Sequence, residues 1–582
     1  TKLDLAGIRV DAPAPAGTAG TWLVDPFNVT IVDGAANGSL TGNPFVPLAD
    51  SNIQDGDVEV ALNGGTSVTI GTGAPDPTSF AGNITFGTGA GINFTGATPV
   101  TLRLEAARGI SGFGTSIQSS GAPLGVEFLA GLSNDTGSIN YNGQILTNGG
   151  SVTMSALGNG TSSCAICMSG TLIDTRGATG DGSVSLTVPA PGTNTSGGSF
   201  TTAAINLGST DISAGAGDVN ISGYSQNGTG VRLDGTLFIG EGRLGVISTT
   251  TGDINITGVG AFSSNSSDAP GHGVIISNAR LASADGNIAV RGLRQAGATP
   301  GTGVLLQNGA QIVTTGAGDI EVTGEALGGG TGVVLTAATT NPQGVTFPAS
   351  TIDGNRHVVL RASNDGSSDA IVLDGTVRAG QVLNLRPGGV NLSTGAGENR
   401  TGNAISLMGG PGATGYAISA DEMSRLTAAT VVVGGSTHAA NIDVLAPMAS
   451  SVPLTLQNNA GGNITLNSPI SAPTLGLISG GNITQAAGAS ITAGTLLAQS
   501  FGGNVILSDP GNSVSASTLG GGAAGRFEFV NSGPLRVGAV SVTAFDSNGN
   551  LPQLQAASSM VGDTLLVRTL AGELILVTCI GT

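Results

Sequence analysis

Apolar and polar residues alternate along this chain in short bursts, each introduced by a glycine and a small polar residue. The bursts read GNITF at 82–86, GSINY at 137–141, GSVTM at 150–154, GSVSL at 182–186, GDVNI at 217–221, GDINI at 252–256, GNIAV at 286–290 and GDIEV at 318–322. They resume as GNITL at 462–466, GNITQ at 481–485 and GNVIL at 503–507. Period-2 alternation of this length predicts half-buried strands. A second series is interleaved with the first: GVEF at 125–128, GVRL at 230–233, GVII at 273–276, GVLL at 303–306 and GVVL at 332–335. From 182 to 318 the leading glycines of the first series lie 32 to 35 residues apart, and from 462 to 503 they lie 19 and 22 apart. Repeats of this length mark a solenoid.

No helix of crossover length separates the strands, which excludes a wound α/β sheet. Two-residue hairpin loops are not the rule either. The fold expected is all-β: a right-handed parallel β-helix with loop insertions. Coils rise by about 4.8 Å, so coils of roughly 25 residues would number on the order of 23 and build a rod about 110 Å long. One continuous solenoid is expected in three stretches. Residues 1–120 hold the first coils, 121–345 irregular long coils with an insertion near 155–200, and 346–582 regular short coils. SADEMSRL at 419–426 breaks the pattern. Ser419 as cap, Glu422 three later and the pair Met423 and Leu426 predict one short lateral helix.

Composition agrees with a narrow coil interior. Charged residues are 10% of the 582, against about 25% in an ordinary domain, and there are 99 glycines. Mean hydropathy is nevertheless +0.25, which argues against disorder. Glycine suits the corners. The polar residue after it is placed to stack from coil to coil: Asn83, Asp218, Asp253, Asn287, Asp319, Asn463, Asn482 and Asn504. These side chains either form a hydrogen-bonded ladder along the axis or serve only as turn formers.

Net charge is −18, and Lys2 is the only lysine. Without a basic footprint, nucleic acid is excluded as a partner. No run of 18 apolar residues occurs, so no transmembrane helix and no membrane insertion are expected. The chain starts at Thr1, within a strand-like pattern, and reads as a segment of a longer or processed protein.

TWLVDPFNVTI at 21–31 holds the only tryptophan. Trp22 to Val24 read as a strand, Asp25 and Pro26 as a corner, and Asn28 to Ile31 as the next strand. Trp22 is taken to close a wide coil, in preference to serving as a sugar-stacking platform. This stretch resembles the opening of the rod in filamentous haemagglutinin-like large exoproteins. GYAISADEMSRLTAATVVVG at 415–434 is similar to a recurrent segment of that family, as is the array from GGNITLNSPI to GPLRVGAV. The resemblance covers nearly all of the chain and is most specific at its two ends. It implies export through an outer-membrane two-partner secretion transporter and display as a secreted or cell-surface fibre. It implies no cofactor and no active site. The family's Asn-Pro-Asn secretion motif is absent, so Thr1 is expected to follow that domain.

Other chemistry finds little support. His272, His357 and His438 lack metal-ligand spacing. Cys164 and Cys167 form CAIC without a redox-helix context, which favours a loop-stapling disulfide over two free thiols; Cys579 has no evident partner. Calcium nonapeptides are absent. Triplets of the N-x-S/T type, such as those at Asn28 and Asn93, follow from composition. A glycan-cleaving β-helix needs clustered carboxylates. In sequence the acids are scattered, and the densest group, Asp421, Glu422 and Arg425, reads as helix capping. The function expected is a structural or adhesive exoprotein, not an enzyme, with a glycan or surface-protein receptor. Self-association into a sheath or filament is the alternative.

Overall fold

The computed structural model describes residues 27–577 and 580–581, apart from 74–80, 132–136, 158–163, 190–202, 239–240, 262–270, 297–299, 341–343, 367, 392–396, 401–402, 410–413, 515–517, 546–551 and 558–559. Trp22, Asp25, Pro26 and Cys579 therefore lie outside the described residues. The chain is nearly all β and forms a parallel β-helix, with packing that gathers into two units, 1–252 and 253–582.

In the first unit, successive coils stack in parallel register. Val100–Ala106 pairs with Leu124–Ala130, which pairs with Val152–Ala156, then Val184–Val188, then Val219–Tyr224. Alternation turns every second residue inward, and register aligns those residues in columns. One column runs Leu102, Val126, Val152, Val184, Val219; its neighbour runs Leu104, Phe128, Met154, Leu186, Ile221. All ten side chains are buried. Two further strands complete a coil, as in Ala203–Gly208 and Asp211–Gly215. Cys164 and Cys167 are joined by a disulfide with Cα atoms 5.6 Å apart, at the start of Ile166–Ser169.

The second unit carries a long column that includes Ile254, Ile288, Ile320, Val358, Leu383, Val431, Leu454, Leu475, Leu496 and Leu519. All ten are buried. GNITL, GNITQ and GNVIL supply three strands of a separate eight-stranded sheet.

The second glycine series meets a further set of glycines, each six residues after a leading glycine of the first series. A Cβ added to Gly258, Gly292 or Gly324 would lie 2.0 Å from the carbonyl oxygen of Gly273, Gly303 or Gly332 respectively. In the first unit Gly223 meets the Gly230 carbonyl at 2.3 Å by the same measure. The walls of the coil touch backbone to backbone there, so neither Gly258, Gly292 and Gly324 nor Gly273, Gly303 and Gly332 have room for a side chain.

The polar residue after the first-series glycine forms a ladder. The amides of Asn482, Asn504 and Arg526 donate to Oδ1 of Asn463, Asn482 and Asn504 at 2.8, 2.8 and 2.7 Å. In the first unit the amide of Asn83 donates to Asn28 Oδ1 at 3.1 Å, and that of Asp218 donates to Ser183 Oγ at 3.1 Å.

Two features depart from the sequence reading. Ala420–Ser424 is the expected helix, with a full Ser419/Glu422 capping box. It is not the one helix expected, because Asp55–Asn63 is helical too. DGDVEVALN alternates like a strand, but Asp55 accepts the amides of Gly34 and Gly91, each at 3.0 Å, which fixes the first turn. Val58 and Leu62, four apart, then bury one face. Antiparallel hairpins also occur. In the largest, Val540–Phe545 pairs with Pro552–Ala557, and Val540, Val542 and Ala544 pack on Ile478 and Leu497 of the sheet's outer face.

Replacing Gly292 by alanine is expected to cost about 2 kcal/mol or more through overpacking. Asn482→Ala removes the acceptor for the exposed Asn504 amide and is expected to cost about 0.5–1.5 kcal/mol. Urea unfolding measures both. Amide exchange at Asn504 checks the second, where Asn482→Asp, which keeps an acceptor, should remain protected.

Candidate binding cavity

Four coils of the second unit place their ladder residues side by side. The amide of Asn287 donates to Asp253 Oδ1 at 2.7 Å, that of Asp319 to Asn287 Oδ1 at 3.0 Å and that of His357 to Asp319 Oδ1 at 3.4 Å. These residues are 34, 32 and 38 apart in sequence. Beside them runs an outward-facing column of Asn255, Ala289, Glu321 and Val359. The two columns floor a cavity of about 280 Å³, which Arg291 and Phe545 also line.

The cavity is densely charged. Glu321 Oε1 lies 3.6 Å from Arg291 Nε and 3.7 Å from Arg361 Nη1, and accepts the Thr323 hydroxyl at 3.1 Å. Burial works against the Glu321 charge, but Arg361 and Arg291 outweigh it and hold the carboxyl below its usual range. Burial is also the main influence on Arg361, whose pKa it lowers despite Glu321. The Nε atoms of Arg291 and Arg361 are buried and make no hydrogen bond among the described residues. Asp319 Oδ1 lies 3.1 Å from His357 Nδ1, without hydrogen-bond alignment, and 3.7 Å from Arg356 Nε.

Phe545 reaches this site from the C-terminal hairpin. Gln457 grips its backbone from both sides: Nε2 donates to the Phe545 carbonyl and Oε1 accepts its amide, each at 2.8 Å. The ring packs on Val382 and Val432 and sits 5.1 Å from the Arg386 guanidinium, a cation–π distance.

Asp253, Asn287 and Asp319 are thus brought to one cavity. Asn463, Asn482 and Asn504 remain ladder residues of the short coils. Asn83 and Asp218 belong to the first unit. Sequence reading placed the densest acidic group at Asp421, Glu422 and Arg425, but topology assembles Asp253, Asp319 and Glu321 instead. Glu422 is occupied by its cap and by the Leu373 amide at 2.9 Å. Arg291, Glu321, His357 and Phe545 went unassigned to a shared site. The one signal of the first three is a titratable side chain in adjacent repeats; Phe545, on the hairpin, has none. Among the described residues, no three His, Cys, Asp or Glu side chains form a group suited to a metal ion. His272 accepts the Thr302 amide at 3.1 Å through Nδ1, and His438 is buried elsewhere.

Two further titratable groups of this unit are displaced in opposite ways. Burial pushes Asp369 up to about 7, and nearby Glu422 adds to the rise against amide bonds from Ile371 and Ala417. Burial pushes His438 down to about 4. No family model matches the chain, and no curated protein matches it.

These displacements set opposite pH slopes. The folded state holds the Asp369 proton more tightly than the unfolded chain, so its contribution is full below about pH 4 and fades as pH rises through about 7. The His438 contribution is full above about pH 6.5 and fades as pH falls through about 4. Asp369→Asn should remove the decline on the alkaline side, and His438→Gln the decline on the acid side. Denaturant midpoints of each variant between pH 3.5 and 8 measure this.

Proposed function

We propose that the chain is a β-helical structural and adhesive exoprotein, displayed at a cell surface or in an extracellular matrix. The observation that carries the reading is the stack itself. Ten buried residues in one column, flanked by ladders of backbone and side-chain bonds, make a continuous scaffold that resists unfolding and proteolysis. The resemblance to filamentous haemagglutinin-like exoproteins supports the same reading, with export by a two-partner transporter and attachment to a glycan or surface protein. No helix among the described residues is long and apolar enough to cross a membrane.

Self-assembly into a sheath or filament is the alternative within structural roles, since an unpaired strand edge of a stacked coil accepts a further strand. A second reading, polysaccharide cleavage, is favoured by the gathering of Asp253, Asp319 and Glu321 beside Arg291 and His357.

Negative-stain microscopy of cells and of sheared surface material, with antibody against this chain, tests the proposal. Labelled fibres on cells are expected. Label confined to free particles in the medium would overturn the surface-fibre reading and direct attention to cleavage of polysaccharide.

A further inference from the structure

From the cavity floored by Asp253, Asn287, Asp319, His357 and Glu321, we infer a binding site for one neutral sugar unit of a glycan. The inference rests on the adhesive reading for its biological meaning and on the geometry for its chemistry.

Size comes first. About 280 Å³ lies just under the range for drug-sized ligand sites, roughly 300 Å³ upward. That suits one ring with its substituents. Charge comes second. Glu321 has Arg291 and Arg361 within 4.0 Å, and Asp319 has Arg356. Arg386 stands behind, against Phe545. Three carboxylates thus stand among four guanidinium groups, with Glu321 and Asp319 directly beside theirs, so no large excess of either sign is left to draw an ion. Hydrogen-bonding character comes third. Asp253, Asp319 and Glu321 accept, Arg291 donates, and Asn255 and Asn287 can do both. A hydroxyl donates and accepts at once, so vicinal hydroxyls can bridge such a surface. Fourth, Ala289, Val359 and Phe545 give the lining an apolar part, against which the C–H face of a sugar ring can lie.

The floor is rigid. Ladder bonds join Asp253, Asn287 and Asp319, and the strands beneath are paired in register. A ligand therefore meets a preformed site and loses little affinity to ordering it.

The test is calorimetry and saturation-transfer NMR on the purified chain. The probes are methyl glycosides of glucose, galactose, mannose and N-acetylglucosamine, with sodium sulfate, inorganic phosphate, calcium chloride and glucuronate alongside. One-to-one binding of at least one neutral glycoside is expected. It should weaken at least about tenfold in Arg291→Gln and in Val359→Trp, which fills the cavity from an outward position. Thermal unfolding of each variant shows that it is folded. If either variant does not fold, Ala289→Phe fills the same space from the next coil. Binding confined to the ionic probes, binding untouched in the folded variants, or no saturable binding of any neutral glycoside would each overturn the inference. Cleavage of an oligosaccharide carrying the bound sugar would keep the site and overturn the purely adhesive reading. A failure of binding together with labelled fibres on cells would overturn the site and leave the surface scaffold standing.

Discussion

Stacking each coil on the one before, in parallel register, is the constraint on which the rest of this structure depends. A residue in one coil meets its counterpart above and below at strand spacing, about 4.8 Å. Like meets like, so the interior becomes columns of Ile, Val and Leu, and the corners become columns of Asn, Ser and Asp whose side chains bind the next backbone. A charge repeated at that spacing would repel itself, which accounts for a chain with 10% charged residues. The paired glycines follow from the same geometry. A coil whose walls meet at Gly292 and Gly303 must be narrow there in the next coil too, and Gly324 and Gly332 repeat the contact.

The cavity arises where this rule is relaxed in a controlled way. Along the ladder, Asp253, Asn287, Asp319 and His357 change identity from coil to coil, so neighbouring groups complement one another. The adjoining column changes likewise through Asn255, Ala289, Glu321 and Val359. Burying Glu321 alone would be costly; two flanking arginines offset that cost and keep it ionised. Phe545 is carried in by a hairpin that lies across the short coils, where Gly476 and Gly520 leave room for Val542 and Val540.

Much of the fold was legible because its signals are local. Five-residue alternation marks a strand, glycine marks a corner, and Ser419 with Glu422 marks a helix start. The helix at Asp55–Asn63 was not legible, since DGDVEVALN alternates and only the distant amides of Gly34 and Gly91 decide its conformation. The hairpin was also hidden: VSVTAF looks like any coil strand, and only Asn548-Gly549 between two alternating runs hints at a reversal. The cavity was least legible of all. Its ladder residues were picked out one by one, yet Glu321 is an ordinary outward position within GDIEV. That it meets Arg291 and Arg361 depends on register across coils of unequal length.

Coil length divides the labour within the second unit. Short coils, with ladder steps of 19 and 22 residues, have little chain beyond their strands and corners. Their ladder is uniform asparagine, and their outer face is covered by the hairpin. Long coils, with steps of 32 to 38 residues, carry extra chain at the corners and vary the ladder side chains. The short coils anchor the hairpin, and the hairpin places Phe545 beside the long coils. The sameness that stacking needs and the difference that the proposed sugar site needs are thus kept in separate stretches of one solenoid, and the hairpin anchored on the short coils reaches across to the long ones.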